Sequence, residues 1–473
     1  MSSATVTGPG LLSRHTLLAL ALGVPLVSVL ALLAPEHADL AIGIAASALA
    51  AALLVRGTPL FIVAAVPAVW LGEIVRLAGG ALSTADAFLI VGTLAALPRL
   101  EMRDRGVRSA LLLIAGFEAV QLVALVHSLT PYAGQEWLHR LLLLGGGLMI
   151  GAALTLSGRL AAALRLFIAG GVVIALLSIA FAAATRFAPA YPLLNKNYAG
   201  DLLAAAVLLA LLAPREVVAL GRLRVPAVLL LAAGLAATQS RGAVLGLGCG
   251  VVVYALFRRR FDALSVLLVL GTVVGIGLFA VLFSGQAAVE QQQQFGALFY
   301  RQQDVQQAMD AWQLSPLIGV GIRFWESGLY ALQGDPHNVL ALTLAESGLI
   351  GVLAFVVMLA GVAALCIRAR TQIAVLALAL LAARFVHGLF DIYWVHGSLA
   401  LPWIVAGAAI TRPRPSPARA SAGATDAAAH SRPRHGSSVP AGWPPDARHT
   451  DAHERAPRGS ASVAARGPLP QAR

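Results

Sequence analysis

Long apolar runs separated by short polar turns dominate this chain, and in a bilayer such runs can satisfy their backbone N–H and C=O groups as α-helices. Stretches of roughly 15 to 25 apolar residues fall near 16–34, 39–55, 58–78, 83–98, 107–129, 137–157, 164–186, 197–213, 225–239, 241–257, 261–284, 338–366, 371–388 and 391–411. Several are shorter than the ~20 residues of a spanning helix, so the pattern predicts about twelve to fourteen transmembrane helices. The runs lack the alternation of an outer-membrane barrel. With 59% hydrophobic and only 12% charged residues, and a mean hydropathy of +0.81, a water-soluble globule is excluded. The expected class is an all-α polytopic membrane protein.

Positive charge near span ends stays on the cytoplasmic side. With a cytoplasmic N-terminus, sixteen basic residues fall inside: Arg14, Arg56, Arg99, Arg103, Arg105, Arg108, Arg159, Arg165, Arg215, Arg222, Arg224, Arg258, Arg259, Arg260, Arg368 and Arg370. Eight fall outside: Arg76, Arg140, Arg186, Lys196, Arg241, Arg301, Arg323 and Arg384. The bias sets the orientation and directs attention to the outer set. The first apolar run leads into Ala34-Pro35-Glu36-His37, which reads as a span and turn and not as a signal-peptide cleavage site. Residues 1–411 are expected to form the membrane bundle. Residues 412–473, rich in Pro, Ala, Ser, Arg and His, cannot bury enough apolar surface to fold and read as a disordered basic cytoplasmic tail. The tail suits anionic lipid, and nothing in it resembles a nucleic-acid reading module. Cys249 and Cys366 lie inside apolar runs without metal-ligand spacing, so neither a disulfide nor a metal is expected.

One sizeable outer segment, 285–337, interrupts the bundle on the periplasmic side of a Gram-negative host. Phe295, Leu298, Phe299, Val305, Ala308, Met309 and Trp312 are spaced for an amphipathic helix or helix pair. This reads as a lid packed on the bundle or lying among headgroups, or as a substrate surface on which Arg301 reaches a phosphate. The densest polar constellation follows: Ser315-Pro316-Leu317-Ile318-Gly319-Val320-Gly321-Ile322-Arg323, then Asp335-Pro336-His337-Asn338 and Glu346-Ser347-Gly348. Asp335 is placed to cap a helix, Pro336 to start it, and His337 and Asn338 to fill its first turn. There the helix dipole favours a neutral imidazole, the form a general base needs. The alternative is a capping histidine at a membrane boundary. Glu346 lies nine residues beyond His337, about 13.5 Å along an ideal helix, which assigns it to a network or to packing.

Ser240-Arg241-Gly242 joins two runs too short to cross about 30 Å of hydrocarbon, so Arg241 is expected to be recessed. A recessed Arg lines a wet cavity, meets an anion or makes a structural ion pair. Arg186 ends another run on the same side, and together the two suit a diphosphate. Glu73 with Arg76, and Glu118 with Gln121, are one-turn neighbours placed for structural pairs. Arg384, His387, Asp391 and His396 surround the last outer hairpin as supporting or acceptor-side candidates.

Asn195-Lys196-Asn197-Tyr198-Ala199, Thr238-Gln239-Ser240-Arg241-Gly242-Ala243, the stretch from Trp312 to Phe324, and Pro336-His337-Asn338 with Glu346-Ser347-Gly348-Leu349-Ile350-Gly351 resemble, in order, the motifs of the O-antigen ligase and polymerase superfamily. The resemblance covers 185–352. It implies a lipid-carrier-dependent, GT-C-like glycosyltransferase bundle with a cavity open to the periplasm. Such an enzyme transfers a polysaccharide from undecaprenyl diphosphate to a sugar hydroxyl of lipid A-core, without cofactor or metal. It also implies Arg186 and Arg241 as diphosphate binders and His337 as the base or acceptor-orienting group, with Asn195, Lys196, Arg301, Arg323 and Asn338 as substrate-binding candidates. Polymerases and pilin-glycosylating ligases share these motifs. A transporter or flippase for an anionic lipid is the reading from another class, but repeated halves with matching broken spans are not evident.

Overall fold

A computed structural model describes residues 59–72, 76–77, 82–100, 104–128, 130, 132–185, 194–258, 287–328, 335–394 and 397–412, with the backbone alone for 76–77, 82 and 287–300. Arg186, Glu73, His396, the candidate spans 16–34, 39–55 and 261–284, and the tail beyond 412 lie outside the described residues.

The described chain is helical apart from one two-residue antiparallel ladder, β1 (Arg76–Leu77) with β2 (Leu82–Ser83). The helices are α1 (Leu60–Ala68), α2 (Thr84–Ala96), α3 (Arg105–Val126), α4 (Ala133–Leu156), α5 (Leu160–Ala184), α6 (Lys196–Leu212), α7 (Arg224–Thr238), α8 (Arg241–Arg258), α9 (Ala287–Leu314), α10 (Val339–Ala369), α11 (Gln372–Gly388) and α12 (Ala400–Ile410). Their starts carry the expected chemistry. Ser83 and Asp86 form a reciprocal capping box on α2, Asp104 caps α3, and Thr371 caps α11. Among the described residues, six segments are long and apolar enough to cross a membrane: 105–126, 133–156, 160–184, 221–238, 241–258 and 339–369. Shorter apolar helices cover 60–71, 372–388 and 400–410.

Small residues set how closely these helices approach. On α8, Gly242, Gly246 and Gly250 recur every fourth residue and face α11. A Cβ at Gly242 would stand 2.8 Å from the His387 ring, one at Gly246 2.6 Å from the Ala383 carbonyl oxygen, and one at Gly250 2.9 Å from that of Ala379. The two helices are thereby pressed together along their length, which brings the start of α8 against the end of α11. Gly147 and Gly151 of α4 serve the same purpose against α12. The lipid-length helices keep large apolar side chains such as Leu112, Val173, Leu245 and Leu353 on their outer faces.

Candidate functional site

The longest helix does not run straight. Gly348 adopts φ 64° and ψ −165° within α10, a conformation that side chains other than glycine's disfavour. The break frees backbone groups, and the loop before the helix takes them up. Val320 and Gly321 donate N–H to the carbonyls of Ala345 and Glu346 at 2.8 and 3.0 Å, while Leu349 and Ile350 donate to Pro316 and Leu317 at 2.9 and 3.2 Å. The 316–321 loop is thus threaded against the broken helix. Gly319, with φ 75°, fits because a Cβ there would collide with the Glu346 carbonyl, and a Cβ on Gly348 would collide with that of Leu317.

A buried ionic cluster sits beside the break. Arg140 of α4 donates to both Glu346 oxygens, at 2.6 and 2.9 Å, and through Nε to Glu136 at 3.0 Å. Its guanidinium also lies 4.7 Å from the Trp394 ring, a cation–π arrangement. Arg323 donates its backbone N–H to Glu346 at 3.0 Å, while its side chain lies 3.7 Å from Glu136 and pairs with Glu326. Gln121 donates to Ser347 at 3.1 Å. Asp335 faces this cluster. Burial pushes its carboxyl well above the ordinary 3.8, Glu346 and Glu136 add to the rise, and Arg140 and Arg323 oppose it.

A second group lies around His337. Asn338, not Asp335, caps α10, accepting the N–H of Leu340 and Ala341, both at 3.0 Å. Its amide donates to the Leu389 carbonyl at 3.1 Å. The expected cap is therefore corrected by three residues, and His337 precedes the helix instead of filling its first turn. The reason is geometric: an Asn side chain immediately before the first helical residue reaches two free amides at once. His337 Nδ1 lies 3.3 Å from Asp304 of α9, and Nε2 lies 4.0 Å from Asp391. Asp391 stands 3.5 Å from His387 Nε2, and His387 Nδ1 lies 3.1 Å from Asp201. Arg384 donates to the same Asp201 at 2.9 Å, to the Ile392 carbonyl at 3.1 Å, and to that of Tyr393. Acids and bases alternate from α9 to the core of the bundle.

Asp201, Arg384 and His387 line a small cavity between α6, α8 and α11, closed by Ala204, Ala243 and Pro402, with room for about one water. At its outer end Gly200 packs on Ser240 and Gly242 on His387. Arg241 is exposed at the first position of α8 and makes no hydrogen bond or ion pair among the described residues. Asn195 caps α6 by accepting the Asn197 N–H at 2.8 Å, and Lys196 follows it, half-buried. Arg301 is half-buried on α9, one turn before Asp304.

Of the sequence candidates, His337 lies beside Asp391 and Asn338 beside Leu389, and Arg241 starts α8 next to Gly242, which packs on His387. The structure places Arg323 in the Glu346 cluster instead. Glu346 has the network role expected of it. Asp201 and Asp304 escaped the sequence reading, and Arg140 entered it only as one of the eight outer basic residues. Asp201, four residues after the Asn-Lys-Asn turn, carried a signal as a lone carboxylate in an apolar run. Asp304 carried none, being one polar residue among many.

These helices define a polytopic membrane protein whose irregular backbone at the α10 break is hydrogen-bonded by protein contacts. Residues 226–356 match the family described as O-Antigen ligase. This match supports O-antigen ligase superfamily membership for that stretch of the chain. The matched stretch runs from α7 into α10 and contains Arg241, Arg301, Arg323, His337 and Asn338. No curated protein matches the chain.

Proposed function

We propose that this protein is an O-antigen ligase of the bacterial inner membrane, acting on the periplasmic side. It transfers a polysaccharide from undecaprenyl diphosphate to a sugar hydroxyl of lipid A-core. The observation that carries this reading is the contrast among arginines. Arg140, Arg323 and Arg384 are each committed to carboxylates, whereas Arg241 is exposed, with no such partner among the described residues, at a helix start. A helix N-terminus offers free amides to phosphate oxygens, and Arg adds a planar donor fork. Arg241, with Arg186, would hold the diphosphate and neutralise the charge that develops as it leaves, so the chemistry requires no metal. Arg301, Lys196 and Asn195 extend the donor side.

We assign Arg241 to the diphosphate and His337 to the acceptor. In the proposed step His337 accepts the proton of the acceptor hydroxyl, whose oxygen bonds to the anomeric carbon. The bond from that carbon to the diphosphate breaks, and undecaprenyl diphosphate departs with the electron pair. A positioned base contributes about 10²–10⁴-fold, and holding two bulky lipid-linked reactants together contributes more.

The test is reconstitution in liposomes with undecaprenyl-diphosphate-linked glycan and lipid A-core, comparing wild type with His337→Ala and Arg241→Ala. Glycolipid product that requires lipid A-core and is lost in both variants supports the reading. Longer carrier-linked chains without transfer to lipid A-core make the protein a polymerase. No transfer by folded protein points to transport of a lipid-linked anion.

A further inference from the structure

We infer that Asp304, on the extramembrane helix α9, is a positioning residue for His337, fixing the ring so that Nε2 faces the acceptor. This rests on the reading of His337 as the base. Asp304 Oδ2 lies 3.3 Å from His337 Nδ1. A carboxylate that accepts the Nδ1 proton selects the tautomer whose lone pair is on Nε2. Nε2 stands 4.0 Å from Asp391, too far for a hydrogen bond, and is left to take a proton from a hydroxyl entering between them. The ring is 31% and Asp304 22% exposed, so the pair sits at an accessible edge.

The placement of Asp304 is built into α9. Asp304, Ala308 and Ala311 share one helix face by their spacing of four and three, and Ala308 and Ala311 are fully buried against the bundle. These alanines let α9 lie close on α10, and Val305 packs beside them. At the end of α9, Trp312 donates to the Pro316 carbonyl at 3.0 Å, tying the helix to the loop threaded through the break in α10. The extramembrane segment is therefore more than a cover: it delivers one carboxylate to one imidazole. Catalytic competence then depends on α9 being docked.

The groups facing His337 are Asp304 from α9 and Asp391 from the α11–α12 connection, with His387 behind Asp391. The test uses the full-length protein in detergent micelles with ¹⁵N-labelled histidine, His337 being assigned from His337→Gln. The tautomer of His337 is followed in wild type, Asp304→Asn and Asp304→Glu, alongside glycan transfer in liposomes. In Asp304→Asn we expect more Nδ1-unprotonated ring and transfer reduced about tenfold or more. In Asp304→Glu both should partly recover. An unchanged His337 tautomer in Asp304→Asn overturns the proposal whatever the activity. An altered tautomer with unaltered transfer overturns the positioning role. A wild type that transfers no glycan overturns the ligase reading and the role with it, leaving the ion pair visible by NMR. Should Asp304→Asn fail to fold, Asp304→Glu alone decides, because it keeps the charge and moves it by one methylene.

Discussion

Arg140 and Glu346, 206 residues apart, meet in a two-pronged ion pair at 2.6 and 2.9 Å where α10 breaks. Both are buried. Burying either charge alone is costly, whereas the pair with its added hydrogen bonds is tolerated. Glu346 also receives the Arg323 N–H, so one carboxylate holds α4, the loop before α10 and α10 itself in register.

Removing one partner should therefore cost more than removing both. Arg140→Met or Glu346→Leu alone is expected to destabilise by about 3–5 kcal/mol, and the double variant by clearly less than the sum. Thermal unfolding in detergent measures this. Strict additivity would refute a coupled pair.

Gly319 and Gly348 are interlocked, each where the other segment's carbonyl passes. Alanine at either position adds positive-φ strain of about 1–3 kcal/mol to a backbone collision. Gly116→Ala, on α3 with nothing near its would-be Cβ, should be neutral or stabilising. Comparing melting temperatures of the three tests whether the threaded loop is as tight as described.

Arginine variants should separate into two kinds. Arg384→Ala strands Asp201 and two carbonyls and is expected to lower the melting temperature markedly. Arg241→Ala should leave it nearly unchanged while reducing glycan transfer about 10²-fold or more. An Arg241 variant that melts early would mean that the side chain holds the fold together.

Asp335 provides a pH prediction. Its carboxyl is held well above the ordinary 3.8 by burial, with Glu346 and Glu136 contributing. Above the ordinary value the unfolded chain releases this proton readily and the folded chain resists, so stability falls as pH rises toward the folded value. Asp335→Asn removes the penalty. The variant should melt higher than wild type at neutral pH, with the gap narrowing toward pH ~4. Melting curves across that range, with the gap constant or reversed, would contradict the assignment.

Much of the architecture was legible because apolar length is a local property. The runs at 107–129, 137–157, 164–186, 225–239, 241–257 and 338–366 correspond to α3, α4, α5, α7, α8 and α10. Other boundaries followed side-chain chemistry that run-counting misses. The final run was expected from 391, yet α12 begins at Ala400, leaving Asp391 on irregular backbone where it faces two histidines. The helix start expected at Asp335 falls at Asn338 because the two-amide cap decides it.

The order of polar motifs and the helical class were readable from sequence alone, since hydropathy, charge placement and motif spacing need no knowledge of distant contacts. Which arginines are committed to carboxylates and which is exposed was decided by the tertiary structure. Arg140, Arg241, Arg323 and Arg384 look alike in sequence, and only packing brings Glu346, Glu326 and Asp201 to three of them. The same holds for Asp304. Its proposed role depends on a helix face docking against a residue 33 positions away, a partner that sequence spacing does not reveal.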